Sequence, residues 1–232
     1  MTDSSVIWMS SMKRARSTES KCERRSAILT VALDVFFENG FNAARMEDIA
    51  ARAELSKGTL YLYFDTKEAL FKALIDSLAM PNLDEIERIA ATAPSIFDAL
   101  NGLAAYAPNM VRHSNMPRLM KVLIGDSQNF PAIILDYRVR ILDRVIGALT
   151  LLLNNAKARG EIETDDPALL ARLLIAPMAF SGIWQAVFGS APDAAIDLEG
   201  LFQMHIKMMI KALTPHRDPL ASKSPDDAGV SL

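Results

Sequence analysis

Apolar residues recur every three or four positions along most of the chain, and the alternation that is typical of strands is scarce. The first helical pattern runs from about Lys21 to Asn39, where Asn39-Gly40 supplies a stop signal. Further patterns follow, several of them begun by capping residues or prolines, and the last one ends before Pro215. This patterning predicts an all-α fold of about nine helices.

Two short helical patterns meet across a tight turn within residues 41–71. The first has four apolar residues on one face, residues 54–56 interrupt the pattern, and Leu60 and Phe64 form the apolar pair of the second. Two brief helices joined in this way are typical of a helix-turn-helix, which places its second helix in the major groove of DNA. Residues 21–66 are therefore predicted to form a three-helix DNA-binding domain.

The second helix of this motif has an unusual outward face. With Leu60 and Phe64 turned inward, a rotation of about 100° per residue leaves Gly58, Thr59 and Leu62 facing outward. A leucine on that face is unfavourable in water, but in the major groove it can touch a thymine methyl group. Thr59 can bond a base edge or a phosphate, and Gly58 lets the backbone approach DNA closely.

A fourth helix is predicted to begin at about Thr66, with Asp65 or Thr66 as its cap and Lys67 in its first turn. A cation at this end opposes the helix dipole, so a nearby phosphate explains Lys67 better than stability does. Residues 67–82 are expected to connect the two halves of the chain, with Pro81 kinking or ending the helix.

The residues of this region also occur in a characteristic order: Gly40-Phe41, Asp48-Ile49-Ala50, Ala53, Leu55–Tyr61, Tyr63-Phe64, Lys67-Glu68 and Leu70-Phe71. This run resembles the DNA-binding domain of the TetR/AcrR repressors over roughly 50 residues. The resemblance implies that residues 56–63 are the recognition helix. Together with the outward-face argument, it predicts DNA contacts at Arg45, Ser56, Lys57, Gly58, Thr59, Tyr61, Leu62, Tyr63 and Lys67.

Two positions depart from the pattern of that family. Ala44-Arg45 precede the second helix where the family usually has Thr or Ser, so a cap worth about 1 kcal/mol is absent. We expect Arg45 to contact a phosphate instead. Glu54 stands where the turn usually has glycine, and a left-handed conformation costs other residues roughly 1 to 2 kcal/mol. Either the turn differs here or Glu54 is strained.

Residues 83–213 are predicted to form a second helical domain, with its longest helix from Pro131 to Gly160. Parts of it resemble the C-terminal domain of the AefR-like group, although Asp126 stands where that group usually has Glu. The segments that carry this resemblance are Leu123-Ile124, Asp126, Phe130-Pro131, Gly160-Glu161 and Asp166-Pro167.

Prolines 108 and 177 are expected to kink two helices of this domain and to leave room between them. A mostly apolar cavity with a few polar groups would suit a small, largely apolar effector, although such residues are more often simply core. The predicted lining residues are Tyr106, Met110, His113, Met120, Tyr137, Phe180 and Trp184.

The helices at 167–188 and 198–213 are too apolar to face water on all sides. Pairing them with the same helices of a second chain, in a two-fold four-helix bundle, would bury this surface. A homodimer would also supply two recognition helices for a palindromic DNA site. The stretch 173–189 is apolar but interrupted and short for a membrane span, which favours an interface helix and no membrane.

Composition limits the remaining possibilities. Cys22 is the only cysteine, as expected for a protein of the reducing cytoplasm. Within the cytoplasm, a DNA-binding protein is expected at the nucleoid. Residues 1–80 hold 11 Lys and Arg against 11 Asp and Glu, so DNA binding depends on the placement of a few charges. The three histidines are scattered, and no metal, nucleotide or nucleophile motif stands out, so we predict no cofactor and no enzyme activity.

The sequence thus predicts a dimeric TetR-type transcriptional regulator, most simply a repressor released from double-stranded DNA by a small molecule. Residues 1–20 are Ser-rich and basic, and are expected to be a disordered tail or an arm that reaches DNA. Residues 214–232 are expected to be a second disordered tail. The alternative is a helical small-molecule-binding protein or enzyme with a vestigial helix-turn-helix.

Overall fold

The computed structural model describes residues 4–191 and 193–214, and of residues 4–19 it gives only the course of the backbone. This part of the chain is helical and contains no strand, which confirms the predicted all-α class. Its helices are α1 (Ser4–Ala43), α2 (Met46–Arg52), α3 (Lys57–Tyr61), α4 (Lys67–Thr92), α5 (Ile96–His113), α6 (Met116–Gly125), α7 (Pro131–Tyr137), α8 (Asp143–Ala158), α9 (Pro167–Phe188) and α10 (Leu198–Leu213). A π-helical turn, Arg138–Leu142, joins α7 to α8.

The π-helical turn joins α7 and α8 into one continuous rod. If this rod is counted as a single helix, the described part of the chain has nine helices. The rod extends from Pro131 to Ala158, close to the predicted longest helix, and the chain leaves it through Gly160 at a φ of 72°. Its partner is α4, to which it is tied by a bond from Arg140 to Asp76 of 2.7 Å and a pair between Arg144 and Glu87 of 2.9 Å.

The first helix begins at Ser4 and not near Lys21, so the backbone of residues 4–20 continues α1 where a disordered tail was expected. The sequence explains the difference, because neither proline nor glycine interrupts the chain before Gly40. Gly40 has a φ of 75° and breaks the helical path before its last residues. Residues 1–3 and 215–232, which include most of the second predicted tail, lie outside the described part.

Aromatic packing closes the N-terminal domain around the end of α1. Phe36, Phe41 and Phe71 are buried, with ring centroids 4.8 to 5.3 Å apart. Phe130, which follows α6, stands edge-on against Phe41 at 4.4 Å and extends the cluster into the second domain. The two halves of the chain therefore share one hydrophobic core.

The fourth helix passes through Pro81 and continues to Thr92, ten residues beyond the predicted boundary at 82. Proline removes one backbone hydrogen bond, but Leu83, Ile86 and Ile89 bury their side chains beyond it, and this packing holds the helix together. The boundary predicted between a connecting helix and the second domain thus falls inside α4, and the same helix belongs to both.

Candidate functional site

The turn between α2 and α3 has the geometry of a helix-turn-helix. Ser56 caps α3, because its Oγ accepts a hydrogen bond from the Thr59 backbone N–H at 3.1 Å. The Ser56 and Thr59 hydroxyls also lie 2.8 Å apart. Ser56 therefore fixes the start of the helix, and its oxygen is already used within the protein.

The predicted facing of α3 is confirmed. Leu60 is fully buried and Phe64 is 4% exposed, whereas Leu62 is 82% exposed. Gly58 lies on the exposed side and Thr59 is half-buried. Of the flanking tyrosines, Tyr61 is exposed and Tyr63 is half-buried against the core. A large apolar side chain thus stands in water beside two tyrosines and a glycine.

Glu54 adopts a φ of 55°, which decides between the two possibilities left open for this turn. The Leu55 N–H donates to the Ala50 carbonyl at 2.9 Å and the Glu54 N–H donates to the Ala51 carbonyl at 3.1 Å. These two bonds form the helix-ending motif that usually has glycine at its left-handed position. The turn keeps the ordinary geometry, and Glu54 is strained.

Relief of this strain gives a first prediction. Glu54→Gly should raise the free energy of unfolding by about 1 kcal/mol, because glycine adopts positive φ without a steric penalty. Urea denaturation of the two proteins measures the difference, with Glu54→Ala as a control that should change little. A loss of stability in the glycine variant would mean that position 54 is not strained in solution.

Arg45 occupies the capping position of α2 and makes no capping bond with its side chain, as the sequence suggested. The side chain is exposed. It is therefore free of the helix start and available to a phosphate next to α2.

Lys57, at the start of α3, forms an ion pair with Glu47 of α2. Its ammonium also lies 5.8 Å from the centre of the Tyr61 ring. The hydrogen bond from Lys57 lowers the pKa of the Glu47 carboxyl and so keeps it ionised. A carboxylate thus holds the cation that was predicted to contact a phosphate.

If Lys57 contacts DNA, Glu47 competes with the phosphate for it. Glu47→Gln should then tighten DNA binding about three- to tenfold at low salt, because it frees one cation and removes one negative charge. Fluorescence anisotropy with labelled DNA measures the change, and Glu85→Gln, which removes the carboxylate that pairs with Arg88 on α4, is the control. If the two substitutions raise the DNA affinity equally, the increase comes from the change in net charge alone and not from the release of Lys57.

Lys67 bonds to the protein itself, where the sequence pattern predicts a phosphate as its partner. Its ammonium donates three hydrogen bonds to carbonyl oxygens at the end of α1: Phe41 at 2.7 Å, Asn42 at 3.0 Å and Ala44 at 2.8 Å. These carbonyls, rather than a phosphate, explain a cation in the first turn of α4. A contact between Lys67 and a DNA phosphate stays a prediction. All three hydrogens of its ammonium already have acceptors within the protein.

A second connection between the domains, which no sequence pattern predicts, runs from α6 to α1. Asp126 accepts a hydrogen bond from the Phe41 N–H at 2.7 Å, and Arg118 pairs with Asp34 at 2.7 Å. In the sequence, Asp126 and Phe130 belong only to a family resemblance, which does not identify a partner 85 residues away. The helix-turn-helix is thus held by α4 along the chain and by α6 across it.

A cavity of about 130 Å³ lies between α4, α5, α6, α9 and the π-helical turn. Three predicted lining residues, Met110, Met120 and Tyr137, line it. Tyr106 lies beside it, lines a smaller neighbouring void, and donates a hydrogen bond from its hydroxyl to Asn82 at 2.5 Å. Ile86, Ile175 and Met178 border both spaces.

The other three predicted lining residues do not reach the cavity. His113 is exposed at the end of α5, and Phe180 is 55% exposed on the outer face of α9. Trp184 stacks with Phe180 and donates its indole N–H to the Ala194 carbonyl at 2.7 Å. The sequence pattern identified apolar residues correctly but could not tell the inner face of α9 from the outer one.

His205 on α10 lines the smaller void and was not included in the predicted site. Its Nε2 is buried and has no hydrogen-bond partner among the described residues. Burial lowers the pKa of its imidazole, so the neutral form is favoured.

The outer face of α9 carries an exposed apolar stripe at alternating spacings of four and three residues. Such a seven-residue repeat is typical of a helix that packs along another in a bundle. By length and composition α9 would also suffice to cross a membrane, a property that core and interface helices share. The stripe consists of Leu169, Leu173, Ala176, Phe180, Ile183 and Val187, with Met204 and Met208 exposed on α10.

Two family models match the chain. Residues 28–74 match the tetR family of bacterial regulatory proteins. Residues 98–211 match the C-terminal domain of AefR-like transcriptional repressors. The first range covers the helix-turn-helix and parts of α1 and α4, and the second covers the apolar stripe and every wall of the cavity except the one formed by α4.

Relatives match over shorter ranges. YvdT of Bacillus subtilis, an uncharacterized HTH-type transcriptional regulator, is 38% identical over 72 residues, which are 31% of this chain and 36% of that protein. YdeS of the same organism, described in the same words, is 29% identical over 130 residues, or 55% of this chain and 61% of that protein. The chain thus spans less than two thirds of the length of these curated relatives.

Solved structures agree over nearly the whole fold. NalD of Pseudomonas aeruginosa, the secondary repressor of the MexAB-OprM multidrug efflux pump, superposes with a TM-score of 0.66 at 16% identity. The match covers 84% of this chain and 99% of that one, and at this identity it establishes the fold alone. Both family models describe transcriptional regulators rather than enzymes. Because these two models together match residues 28–74 and 98–211, the chain belongs to the TetR family of transcriptional regulators.

Proposed function

We propose that this protein is a homodimeric transcriptional repressor that binds a palindromic operator and is released by a small molecule. The observation that supports this most is the outward face of α3, where Leu62 is exposed between the buried Leu60 and Phe64. Exposure of a large apolar side chain is unfavourable in water and becomes favourable against a thymine methyl. Membership of a family with AefR-like repressors favours repression, and a regulator of this kind acts in the cytoplasm, where its operator is.

In this proposal the contacts on DNA divide into two kinds. Gly58, Thr59 and Leu62 read base edges, while Arg45 and Lys57 bind phosphates with the two tyrosine hydroxyls of α3. Ser56 holds the helix start and presents the neighbouring residues. Two copies of α3 would lie about 34 Å apart, the distance between successive major-groove faces.

The dimer would form through the stripe on α9 and the exposed methionines of α10. An apolar surface of this length is costly for a monomer, and a two-fold bundle of four helices buries it on both chains. The same symmetry gives the operator its palindrome.

The effector would act through α4 and α6. Both helices line the cavity, and both reach the DNA-binding domain: α4 by its first turn at Lys67 and α6 by Asp126. A ligand shifts the spacing of the two recognition helices only as far as it binds one arrangement better than the other. Displacement of either helix changes how the end of α1 is held.

The alternative is a helical small-molecule-binding protein or enzyme with a vestigial helix-turn-helix. Three observations favour it: the start of α2 at Arg45 has no side-chain cap, Glu54 is strained, and residues 1–80 carry no net charge. Selection of bound DNA from a random pool, followed by a salt titration, separates the two functions. A repressor should enrich one palindrome and lose affinity steeply as salt rises. Failure to enrich any site, at any salt concentration, would favour the alternative.

A further inference from the structure

The side chains that line the cavity indicate which chemical class of effector it can bind. This inference rests on the proposed function. Seventeen described residues line the cavity, and none of them has a charged side chain. Among these residues only Asn82 and Tyr137 have a side chain with nitrogen or oxygen, and the rest are aliphatic residues, methionines, proline and glycine. What these two side chains already bond determines what they can offer a ligand.

The Tyr137 hydroxyl is a donor with only a weak partner. The residue is 6% exposed, and its hydroxyl lies 3.5 Å from the Met120 Sδ, a thioether that accepts hydrogen bonds poorly. Burial raises the pKa of this phenol to about 12, so the hydroxyl keeps its proton at physiological pH. A buried O–H without a good acceptor is unfavourable. A ligand that supplies an acceptor removes this unfavourable state and therefore binds with a more favourable free energy.

Asn82 is likewise left with a donor. Its Nδ2 donates one hydrogen to the Leu78 carbonyl at 2.6 Å, which fixes the orientation of the amide because a carbonyl only accepts. Its Oδ1 accepts the Tyr106 hydroxyl. The Oδ1 thus already accepts one hydrogen bond, while the second amide hydrogen has no acceptor among the described residues.

We propose that the effector is an uncharged, mostly apolar molecule with a hydrogen-bond acceptor, such as the carbonyl oxygen of a ketone, ester, lactone or amide. The acceptor bonds to the Tyr137 hydroxyl, and the Asn82 amide is the second donor on the α4 wall. Ionised ligands are excluded, because the cavity offers no counter-charge and burial of an unpaired ion is strongly unfavourable. A ligand that brings only donors could bond to the oxygens of Tyr137 and Asn82, but it would leave the donors of both side chains without a good acceptor.

Size limits the effector as well. A cavity of about 130 Å³ is close to the roughly 150 Å³ of an engineered cavity that takes one benzene molecule. A single six-membered ring with one acceptor fits without rearrangement. The flexible methionines at positions 110, 120 and 178 would have to move for anything larger.

Calorimetric titration of the full chain with cyclohexanone, toluene and benzoate tests this chemistry without DNA. Cyclohexanone should bind, and Tyr137→Phe should weaken it about three- to tenfold, the effect of one neutral hydrogen bond. The same substitution should leave toluene binding unchanged or slightly tighter, since toluene has no acceptor. Benzoate should not bind to either protein.

Circular dichroism checks the fold of Tyr137→Phe, which removes only an oxygen with a weak partner. Three results would overturn the inference. Wild type and variant could bind cyclohexanone with equal affinity, benzoate could bind more tightly than cyclohexanone, or none of the three compounds could bind. Release of the selected operator is measured separately. Binding of cyclohexanone in the predicted pattern without release would leave the cavity chemistry standing and count against ligand-controlled repression.

Discussion

Leu173→Glu should convert the dimer to a monomer and lower the affinity for the selected operator at least about 100-fold. Leu173 is 58% exposed on α9 and is the second of the six residues in a stripe that repeats every seven positions. In a two-fold bundle the substitution places an unpaired carboxylate in the interface from each chain, at a combined cost of several kcal/mol. A single α3 on half an operator loses the second set of contacts.

Sedimentation velocity measures the oligomeric state, and fluorescence anisotropy measures operator affinity. The matched control is Leu151→Glu, because Leu151 on α8 is 62% exposed and lies outside the stripe. This control should leave both measurements unchanged. A Leu173→Glu protein that sediments as a dimer would place the interface elsewhere.

Lys67→Met should reduce the stability of the protein by about 3 kcal/mol. The methionine keeps the aliphatic length but removes three charge-assisted hydrogen bonds, and it leaves the carbonyls of Phe41, Asn42 and Ala44 without that partner. The same ammonium lies 4.7 Å from the centre of the Phe41 ring, a favourable contact that would also be lost. These groups hold the end of α1 next to the helix-turn-helix.

Urea denaturation measures the loss, and Lys72→Met is its control. Lys72 lies on the same helix and pairs with Asp136 at 3.4 Å in an exposed position, so its removal should cost less than about 1 kcal/mol. The salt dependence of DNA binding distinguishes the roles of Lys67. A variant of unchanged stability whose salt slope falls by about one would restore Lys67 to the phosphate contacts.

Local periodicity was enough to predict the face of α3. Leu60, Leu62 and Phe64 lie within five positions, in α3 and the turn that directly follows it, so a rotation of about 100° per residue assigned each of them correctly although α3 ends at Tyr61. The strain at Glu54 was foreseen as one of two outcomes, because glycine is the usual residue at that position. The backbone angle was needed to choose between them.

Contacts between distant parts of the chain could not be predicted. The carbonyls bonded to Lys67 lie 23 to 26 residues away, and Asp126 bonds a backbone N–H 85 residues away. No spacing rule connects such positions. The cavity was likewise only half predicted, because a helix as uniformly apolar as α9 does not reveal which face is inside. Phe180 and Trp184 were therefore assigned to the wrong face.

In the proposed complex, α3 reads base edges with its exposed face. The most direct test compares wild type with Leu62→Ala on the selected operator and on a set of operators substituted at one symmetric pair of positions at a time. The variant should lose discrimination at one pair, by about 1 to 3 kcal/mol per contact, and keep it at the others. A uniform loss at every position, or none at any, would show that Leu62 does not face a base.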